Sequence, residues 1–311
     1  MPITLSPLSR RRVLSAGVAA GLAALLPRSL SAADEKPIDP RRIVLLSDVH
    51  IPADKAFTHK TGVKPWETLT QAVGEIVALP VRPACVVING DCAAMSGTAG
   101  DYANLVEGLE PLRKAGVTIH LVLGNHDARK TFSAALPASD QRVNDEAVAD
   151  RHVSVVPTPR ANLFLLDSLD VTNKTPGVLG EKQIAWLAKT LDAHADKPAV
   201  VFTHHDPDDP VAREKIKKAL SGLTDTKALM DVLTPRKQVK AHVFGHSHVW
   251  RRAELAGIHQ VNLPTTAWLF AKERPRGWVD LSLRDDGGTF ELRCLDKAHA
   301  SHGEKFDCKW R

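Results

Sequence analysis

The sequence predicts an α/β fold, because short apolar runs of strand length alternate with longer segments of helical spacing. Five of these runs are rich in branched residues, and each ends in a turn that carries Asp, Asn or His; the runs are residues 42–46, 85–88, 117–123, 199–202 and 239–244. Apolar side chains recur at helical spacing in residues 66–79, 102–115 and 181–194. Strands that alternate with helices predict βαβ units and a largely covered sheet.

Further strands are predicted at 162–168, 258–263, 278–283 and 289–295. The last two flank Asp285-Asp286-Gly287-Gly288, which is typical of a hairpin turn. No internal repeat and no linker is visible after residue 40. We therefore expect one domain over residues 42–311, preceded by a short lead-in at 34–41 and ending in a polar tail that contains His299 and His302.

Residues 1–33 have the pattern of an export signal. A charged segment, Ser9 to Leu14, precedes an apolar stretch at 13–26, and Ser31-Ala32-Ala33 offers a cleavage site. The apolar stretch is shorter than the roughly 20 residues of a membrane span. Paired arginines before it resemble the twin-arginine signal, with an ordinary secretion signal as the alternative. This predicts the twin-arginine export machinery as a partner, a periplasmic or extracellular protein, and no stable membrane insertion unless the signal is retained.

The positive charge of the chain lies largely in this leader. Residues 1–33 hold four arginines and no acid, so their removal lowers the formal net charge from +5 to +1. A nearly neutral surface offers no basic groove for a polyanion. A nucleic-acid polymer is therefore not an expected partner.

The four cysteines show no Cys-x-x-Cys spacing, which gives no support to a zinc finger or a thioredoxin-like site. Cys85 and Cys92 lie in or beside apolar strands and are expected to be buried. Cys294 and Cys308 are close in sequence, and a disulfide between them in an oxidising compartment is left open.

Five motifs follow the five apolar runs, and together they contain the side chains that a two-metal site needs. They are Asp48-x-His50, Gly90-Asp91, Gly124-Asn125-His126-Asp127, His204-His205 and Gly245-His246-Ser247-His248. Ligands in open α/β sheets bind beyond the carboxyl ends of strands, where all five would meet. Each motif alone is weak, since an Asp-x-His pair is more often an ordinary turn.

The residue types in these motifs indicate transition metals. In an extended segment Asp48 and His50, two residues apart, would point to the same side, and the two oxygens of Asp91 could join two ions. Imidazole and carboxylate ligands suit Fe, Mn or Zn. Two such ions about 3.5–4 Å apart can generate hydroxide near neutral pH and stabilise both oxygens of an in-line displacement.

This ordered set resembles the calcineurin-like metallophosphoesterase superfamily over residues 42–285. The resemblance implies a mixed β-sandwich flanked by helices, in four layers (αββα). By motif, it places the first metal on Asp48, His50, Asp91 and His248, and the second on Asp91, Asn125, His204 and His246. The fourth motif aligns in two ways; strand length favours His204 as the ligand, with His205 as the alternative.

The same resemblance assigns catalytic roles. His126 would not bind metal; it would lie over the phosphate and stabilise or protonate the leaving oxygen, oriented by an acid such as Asp127 or Asp48. The glycines Gly90, Gly124 and Gly245 are expected to let the chain turn sharply beside the ions.

The class III cyclic-nucleotide phosphodiesterases are the most similar group, in the stretches 97–102, 124–132, 166–168 and 177–187. They imply a small phosphodiester as substrate, cleaved by hydroxide generated at the metals. A phosphomonoesterase, or a non-catalytic protein that binds metal and phosphoester, is the alternative. Ala94 replaces the tyrosine ligand of purple acid phosphatases, Cys92 to Met95 lacks the Asp-Arg-Gly run of protein phosphatases, and the chain is too short for a periplasmic 5′-nucleotidase.

Overall fold

The computed structural model describes residues 36–136, 148–208, 219 and 221–311, which contain two six-stranded sheets. The strands of the first sheet are Ile38–Leu46 (β1), Arg82–Asn89 (β2), Thr118–Val122 (β3), Gly277–Leu283 (β10), Gly287–Cys294 (β11) and Lys305–Lys309 (β12). They lie in the order β12-β11-β10-β1-β2-β3. β1, β2 and β3 are parallel, and β10 joins β1 antiparallel.

The second sheet also has parallel strands at its centre. Its strands are Ser154–Pro157 (β4), Asn162–Leu165 (β5), Ala199–Phe202 (β6), Val239–Phe244 (β7), Arg251–Leu255 (β8) and Ile258–Asn262 (β9). They lie in the order β4-β5-β6-β7-β9-β8. β5, β6, β7 and β9 are parallel, and the antiparallel strands β4 and β8 form the two edges.

Five helices are described. They are Pro65–Ala78 (α1), Ala99–Lys114 (α2), Arg129–Ala135 (α3), Glu181–Ala193 (α4) and Thr226–Leu233 (α5). α1 begins with proline at its first position, where no backbone donor is lost. α2 begins with a capping box in which the side chain of Thr98 accepts from Asp101 N–H and that of Asp101 accepts from Thr98 N–H.

Three apolar clusters separate four layers. Along β1, Val44 and Leu46 face α1, α2 and α3, whereas Ile43 and Leu45 face the second sheet. Side chains of a strand alternate between its two faces, so one apolar strand supplies two cores. The third cluster lies between the second sheet and the helices α4 and α5. The predicted mixed β-sandwich flanked by helices in four layers is confirmed.

Several boundaries differ from those predicted from the sequence. β1 begins at Ile38, which pairs with Arg82 of β2. Part of the expected lead-in at 34–41 therefore belongs to the sheet. The polar tail contains β12, whose alternating exposure is that of an edge strand. β8 is exposed along its whole length and therefore carries no apolar pattern that could predict it. The predicted export signal at 1–33 lies outside the described residues.

The four cysteines are free thiols, and all are buried. The disulfide left open between Cys294 and Cys308 is not formed in the structure. Cys308 pairs across the sheet with Gly288, six residues before Cys294 on the same strand, and six residues of strand span about 20 Å. Within the described part of the chain, no helix has both the length and the hydropathy needed to cross a membrane.

Candidate metal centre

The five predicted motifs follow the carboxyl ends of β1, β2, β3, β6 and β7, and the structure brings them together. Asp48 N–H donates to the carbonyl of Gly90 at 3.1 Å, and His50 N–H donates to the carbonyl of Asp91 at 2.9 Å. These bonds tie the first motif to the second. His246 N–H reaches Oδ2 of Asp48 at 3.2 Å and ties the fifth motif to the first.

Five of the seven predicted metal ligands have a left-handed backbone. Their φ angles are 52° at Asp48, 47° at His50, 48° at Asp91, 66° at His246 and 53° at His248. Non-glycine residues rarely adopt positive φ, and such strain persists where the surrounding structure enforces it, often at functional sites. The extended geometry predicted for Asp48 and His50 is therefore wrong, although their side chains still converge.

The first group of potential ligands is Asp48, His50 and His248, whose ligand atoms all lie within 4.8 Å of one another. Nε2 of His248 lies 3.2 Å from Oδ1 of Asp48 and 3.3 Å from Nε2 of His50. Nδ1 of His248 donates to the carbonyl of Trp268 at 2.8 Å, which leaves Nε2 as the ligand nitrogen in the neutral ring.

The second group is Asp91, His204 and His246, again with ligand atoms within 4.8 Å of one another. Nε2 of His204 lies 3.3 Å from Oδ2 of Asp91. Nδ1 of His204 donates to the carbonyl of Asn89 at 2.9 Å, so this ring is held in the same manner as that of His248. The structure thus places His204, not His205, among the potential ligands.

Asp91 lies between the two groups. Its Oδ2 faces Nε2 of His204 at 3.3 Å and Nε2 of His50 at 3.8 Å. Its Oδ1 accepts from the backbone N–H of His126 at 2.8 Å. One carboxylate therefore faces histidines of both groups, as a bridging ligand would.

Several buried polar atoms of this centre have no hydrogen-bond partner among the described residues. They include Oδ1 of Asp48, Oδ1 of Asn125 and Nε2 of His204. An unpaired buried polar atom costs about 1–3 kcal/mol, so their convergence needs an explanation. Cations would satisfy all of them, and a set of imidazole, carboxylate and amide donors fits transition metals. The residues present therefore fit the metals that the motifs imply.

Burial and mutual charge set the protonation of these groups. Burial opposes ionisation of Asp48, but His248 and His204 outweigh it and lower its pKa to about 2. Burial lowers the pKa of His50 to about 3 and that of His246 to about 4. Asp91 and Asp48 overcome burial at His204 and raise its pKa to about 10. Asp48, His50 and His246 thus stand in the forms that bind cations.

His126 is half-buried, and it forms a third group of potential ligands with His50 and Asp91, whose ligand atoms all lie within 4.8 Å of one another. Its ring lies 5.3 Å from that of His50, edge to face. Its Nδ1 lies 2.9 Å from the carbonyl of Met95, which can only accept, so Nδ1 carries a proton and Nε2 is the nitrogen left for a substrate. The orienting contact is thus to Met95, and the prediction that Asp127 or Asp48 orients His126 is wrong.

Asp127 instead joins two motif loops. Its carboxylate accepts from the backbone N–H groups of Cys92, Ala93 and Gly124 at 2.8–3.1 Å, and from the hydroxyl of Tyr102 at 3.1 Å. These four donors occupy both oxygens, so the carboxylate is not available to substrate. Burial, and next Asp91, raise the pKa of Asp127 to about 6. In the structure Asp127 thus joins the loops of the second and third motifs, and the catalytic role stays a prediction.

His205 is fully buried beside the second group. Its Nδ1 lies 2.8 Å from the hydroxyl of Ser168, and its ring centroid lies 4.8 Å from that of His246. Its Nε2 has no hydrogen-bond partner among the described residues. Burial holds the pKa of His205 well below its usual range, so the ring is neutral. The His205 ring packs against that of His246 and belongs to neither group of potential ligands.

Two motif glycines are required for different reasons. Gly90 has φ of 84°, which favours glycine, and a Cβ there would lie 2.4 Å from Nδ1 of His204. Gly124 has ordinary φ, but its Cβ would lie 2.2 Å from Oδ1 of Asp91. The expectation of sharp turns thus holds at Gly90, whereas Gly124 permits close approach.

Aromatic side chains that the motifs did not indicate cover one side of the centre. Trp268 stacks on His50 with centroids 3.9 Å apart and on His59 at 4.3 Å. Phe270 stacks on His248 at 4.2 Å and is 65% exposed. Both follow β9, whose carboxyl end lies at the same edge of the second sheet. The sequence signal that could have indicated them was the predicted strand at 258–263, because residues that follow its carboxyl end lie at the same edge as the motifs.

Comparison with known proteins agrees with this geometry. Residues 41–250 match the family described as Calcineurin-like phosphoesterase. The chain is 24% identical over 254 residues (79% of this chain, 86% of the relative) to the 3′,5′-cyclic adenosine monophosphate phosphodiesterase CpdA of Vibrio vulnificus. It is 30% identical over 219 residues (68% and 74%) to the probable cyclic nucleotide phosphodiesterase RPA0124 of Rhodopseudomonas palustris. A dimetal phosphatase from Danio rerio shares the fold, with a TM-score of 0.66 and 17% identity over 88% of this chain and 100% of that one.

Proposed function

Because the chain belongs to the calcineurin-like phosphoesterase family, we propose that this metal-dependent phosphoric ester hydrolase uses two metal ions to hydrolyse a small phosphodiester. The observation that carries the proposal is the position of Asp91. Its carboxylate faces His204 in one group of potential ligands and His50 in the other.

The proposed ligands divide between two ions. Asp48, His50 and His248 would hold one, His204, His246 and Asn125 the other, and Asp91 both. Two transition-metal ions, Fe, Mn or Zn, would activate a water molecule and stabilise the attacking and leaving oxygens of an in-line displacement.

The protein supplies the positioning. The carbonyls of Asn89 and Trp268 hold the rings of His204 and His248 in one tautomer each, so their Nε2 atoms are already aimed before a ligand binds. The carbonyl of Met95 does the same for His126. We propose that Nε2 of His126 stabilises or protonates the leaving oxygen.

A diester is the proposed substrate because the curated relatives described above are named as cyclic nucleotide phosphodiesterases. The test compares kcat/KM for bis-p-nitrophenyl phosphate with kcat/KM for p-nitrophenyl phosphate, in the presence of Mn, Fe, Zn or Co. We expect the diester to be preferred. Preference for the monoester would favour a phosphomonoesterase, and no turnover of either ester with any metal would contradict the enzymatic proposal.

We further propose that residues 1–33 direct export through the twin-arginine machinery to the periplasm or beyond. The support is Ser9-Arg10-Arg11-Arg12-Val13-Leu14 followed by an apolar stretch. Replacement of both Arg10 and Arg11 by lysine should retain the protein in the cytoplasmic fraction, whereas Arg28→Lys serves as the control. Unchanged export of the double variant would contradict the twin-arginine route.

A further inference from the structure

We propose that the protein has a second anion site, separate from the metal centre, which binds a small phosphomonoester. The site is a cavity of about 390 Å³, which lies within the roughly 300–1,000 Å³ typical of small-molecule pockets. Four basic side chains line it: Lys60, Lys272, Arg274 and Arg276. None of these residues is among the proposed metal ligands.

The basic groups of this cavity have one acidic neighbour, Asp296, whose charge opposes the effect of burial on the pKa of Arg276. Within the described ranges, no ion pair or hydrogen bond is formed by the side chains of Lys60, Lys272 or Arg276. Arg274 donates to the carbonyl of Ser247 at 3.1 Å, which is a neutral acceptor. Some exposed lysines elsewhere, such as Lys55, Lys64 and Lys227, pair with a glutamate or aspartate. Unpaired cations gathered around a concavity create a positive field that attracts anions.

The remaining polar groups of the lining reduce this charge little. Asp296 is the one acidic residue among the lining residues, and one of its oxygens already accepts from the backbone of Ala298 at 2.9 Å. His299 accepts from Ser301 N–H through Nδ1 and lies 3.2 Å from the carbonyl of Glu273 through Nε2, which is the pattern of a neutral ring. Burial raises the pKa of the Cys294 thiol to about 11, so it too is uncharged.

The ligand class follows from the lining. Four positively charged side chains and one carboxylate leave the cavity with a net positive charge. Such a charge suits a doubly charged anion better than a singly charged one. Arg276 is half-buried among the lining residues, and its guanidinium stays charged. Guanidinium groups bind phosphate through paired hydrogen bonds. Val63 and Leu269 add apolar surface for the organic part of the ester.

The cavity is linked to the metal centre through one segment of chain. Leu269 follows Trp268, whose carbonyl accepts from His248, and Arg274 binds the carbonyl of Ser247 between the proposed ligands His246 and His248. The site nevertheless contains its own charges and its own walls. Its occupancy therefore does not depend on the proposed phosphodiesterase activity.

The test is calorimetric titration of the metal-loaded full chain with phenylphosphonate, a mimic of a phosphomonoester that cannot be hydrolysed. Lys60→Gln/Lys272→Gln removes two unpaired charges from the cavity. Lys182→Gln/Lys189→Gln removes the same charge from exposed positions on α4 and serves as the matched control.

We expect one binding event to weaken about tenfold or more in Lys60→Gln/Lys272→Gln and to remain unchanged in the control. Arg276→Gln should weaken the same event. Equal isotherms for the two double variants would overturn the proposal, because binding would then lie at the metal centre or depend on net charge alone.

Discussion

Nε2 of His204 lies 3.3 Å from Oδ2 of Asp91, and the negative charge of Asp91 overcomes burial to raise the pKa of His204 to about 10. The backbone carbonyl of Asn89 fixes the far side of the His204 ring. This hydrogen bond ties the loop after β6 to the end of β2 and holds the His204 ring toward Asp91. This relationship is what the two-metal proposal explains.

Asp91→Ala should remove both metals and abolish activity, because this carboxylate faces both groups of ligands. Asp91→Asn keeps the shape and the contact with His126 N–H, and we expect it to retain less than one ion per chain. Metal content measured by plasma mass spectrometry after gel filtration checks both variants. Two ions per chain in Asp91→Ala would show that Asp91 does not bridge.

His126→Ala should keep both metals but lower kcat by about 10²–10⁴, the range of a general acid or base. The mutation removes a ring outside the two ligand groups proposed here, so the metals should not be disturbed. His194→Ala, which removes another half-buried histidine directly after the last residue of α4, is the control. Loss of metal in His126→Ala would make it a ligand instead.

His204→Ala and His205→Ala test the alignment of the fourth motif. We expect His204→Ala to lose the metal held by His246 and Asn125, since its Nε2 belongs to that group. His205→Ala should retain two ions, because its Nδ1 is bound to Ser168 and it packs behind the ligands. The opposite pattern of metal content would exchange the two assignments.

His242 should make the fold less stable in acid. Burial lowers its pKa from 6.5 to about 4, so below pH 6.5 the unfolded chain binds a proton that the folded chain refuses. The contribution of neutral His242 to the free energy of unfolding is fully present above pH 6.5 and falls by up to about 3 kcal/mol as the pH drops to 4. Urea unfolding of wild type and His242→Gln at pH 7, 5.5 and 4 measures it. If the free energy of unfolding of His242→Gln fell with pH as steeply as that of the wild type, this role of His242 would be contradicted.

Most of the fold was predictable because the strands that carry the site are apolar on both faces. Val44 and Leu46 pack on helices while Ile43 and Leu45 pack on the other sheet, so β1 reads as a continuous apolar run. β8 and β12 lie at sheet edges and are held by pairing with β9 and β11. Their residues carry no such run, and the sequence did not indicate them.

The site was predictable at the level of ligands but not of their supports. Asp48, Asp91 and His246 follow strand ends that converge by topology. The role of Met95 toward His126 depends on a backbone carbonyl, which no residue type reveals. Asp127 has the residue type of a catalytic acid, yet four donors in the fold occupy it.

The most direct test is titration of the metal-stripped protein with Mn²⁺ while turnover of bis-p-nitrophenyl phosphate and bound metal are measured on the same samples. The two-metal proposal predicts little activity at one ion per chain and full activity at two. Full activity at one ion per chain, or no turnover at two with Mn, Fe, Zn or Co, would contradict it.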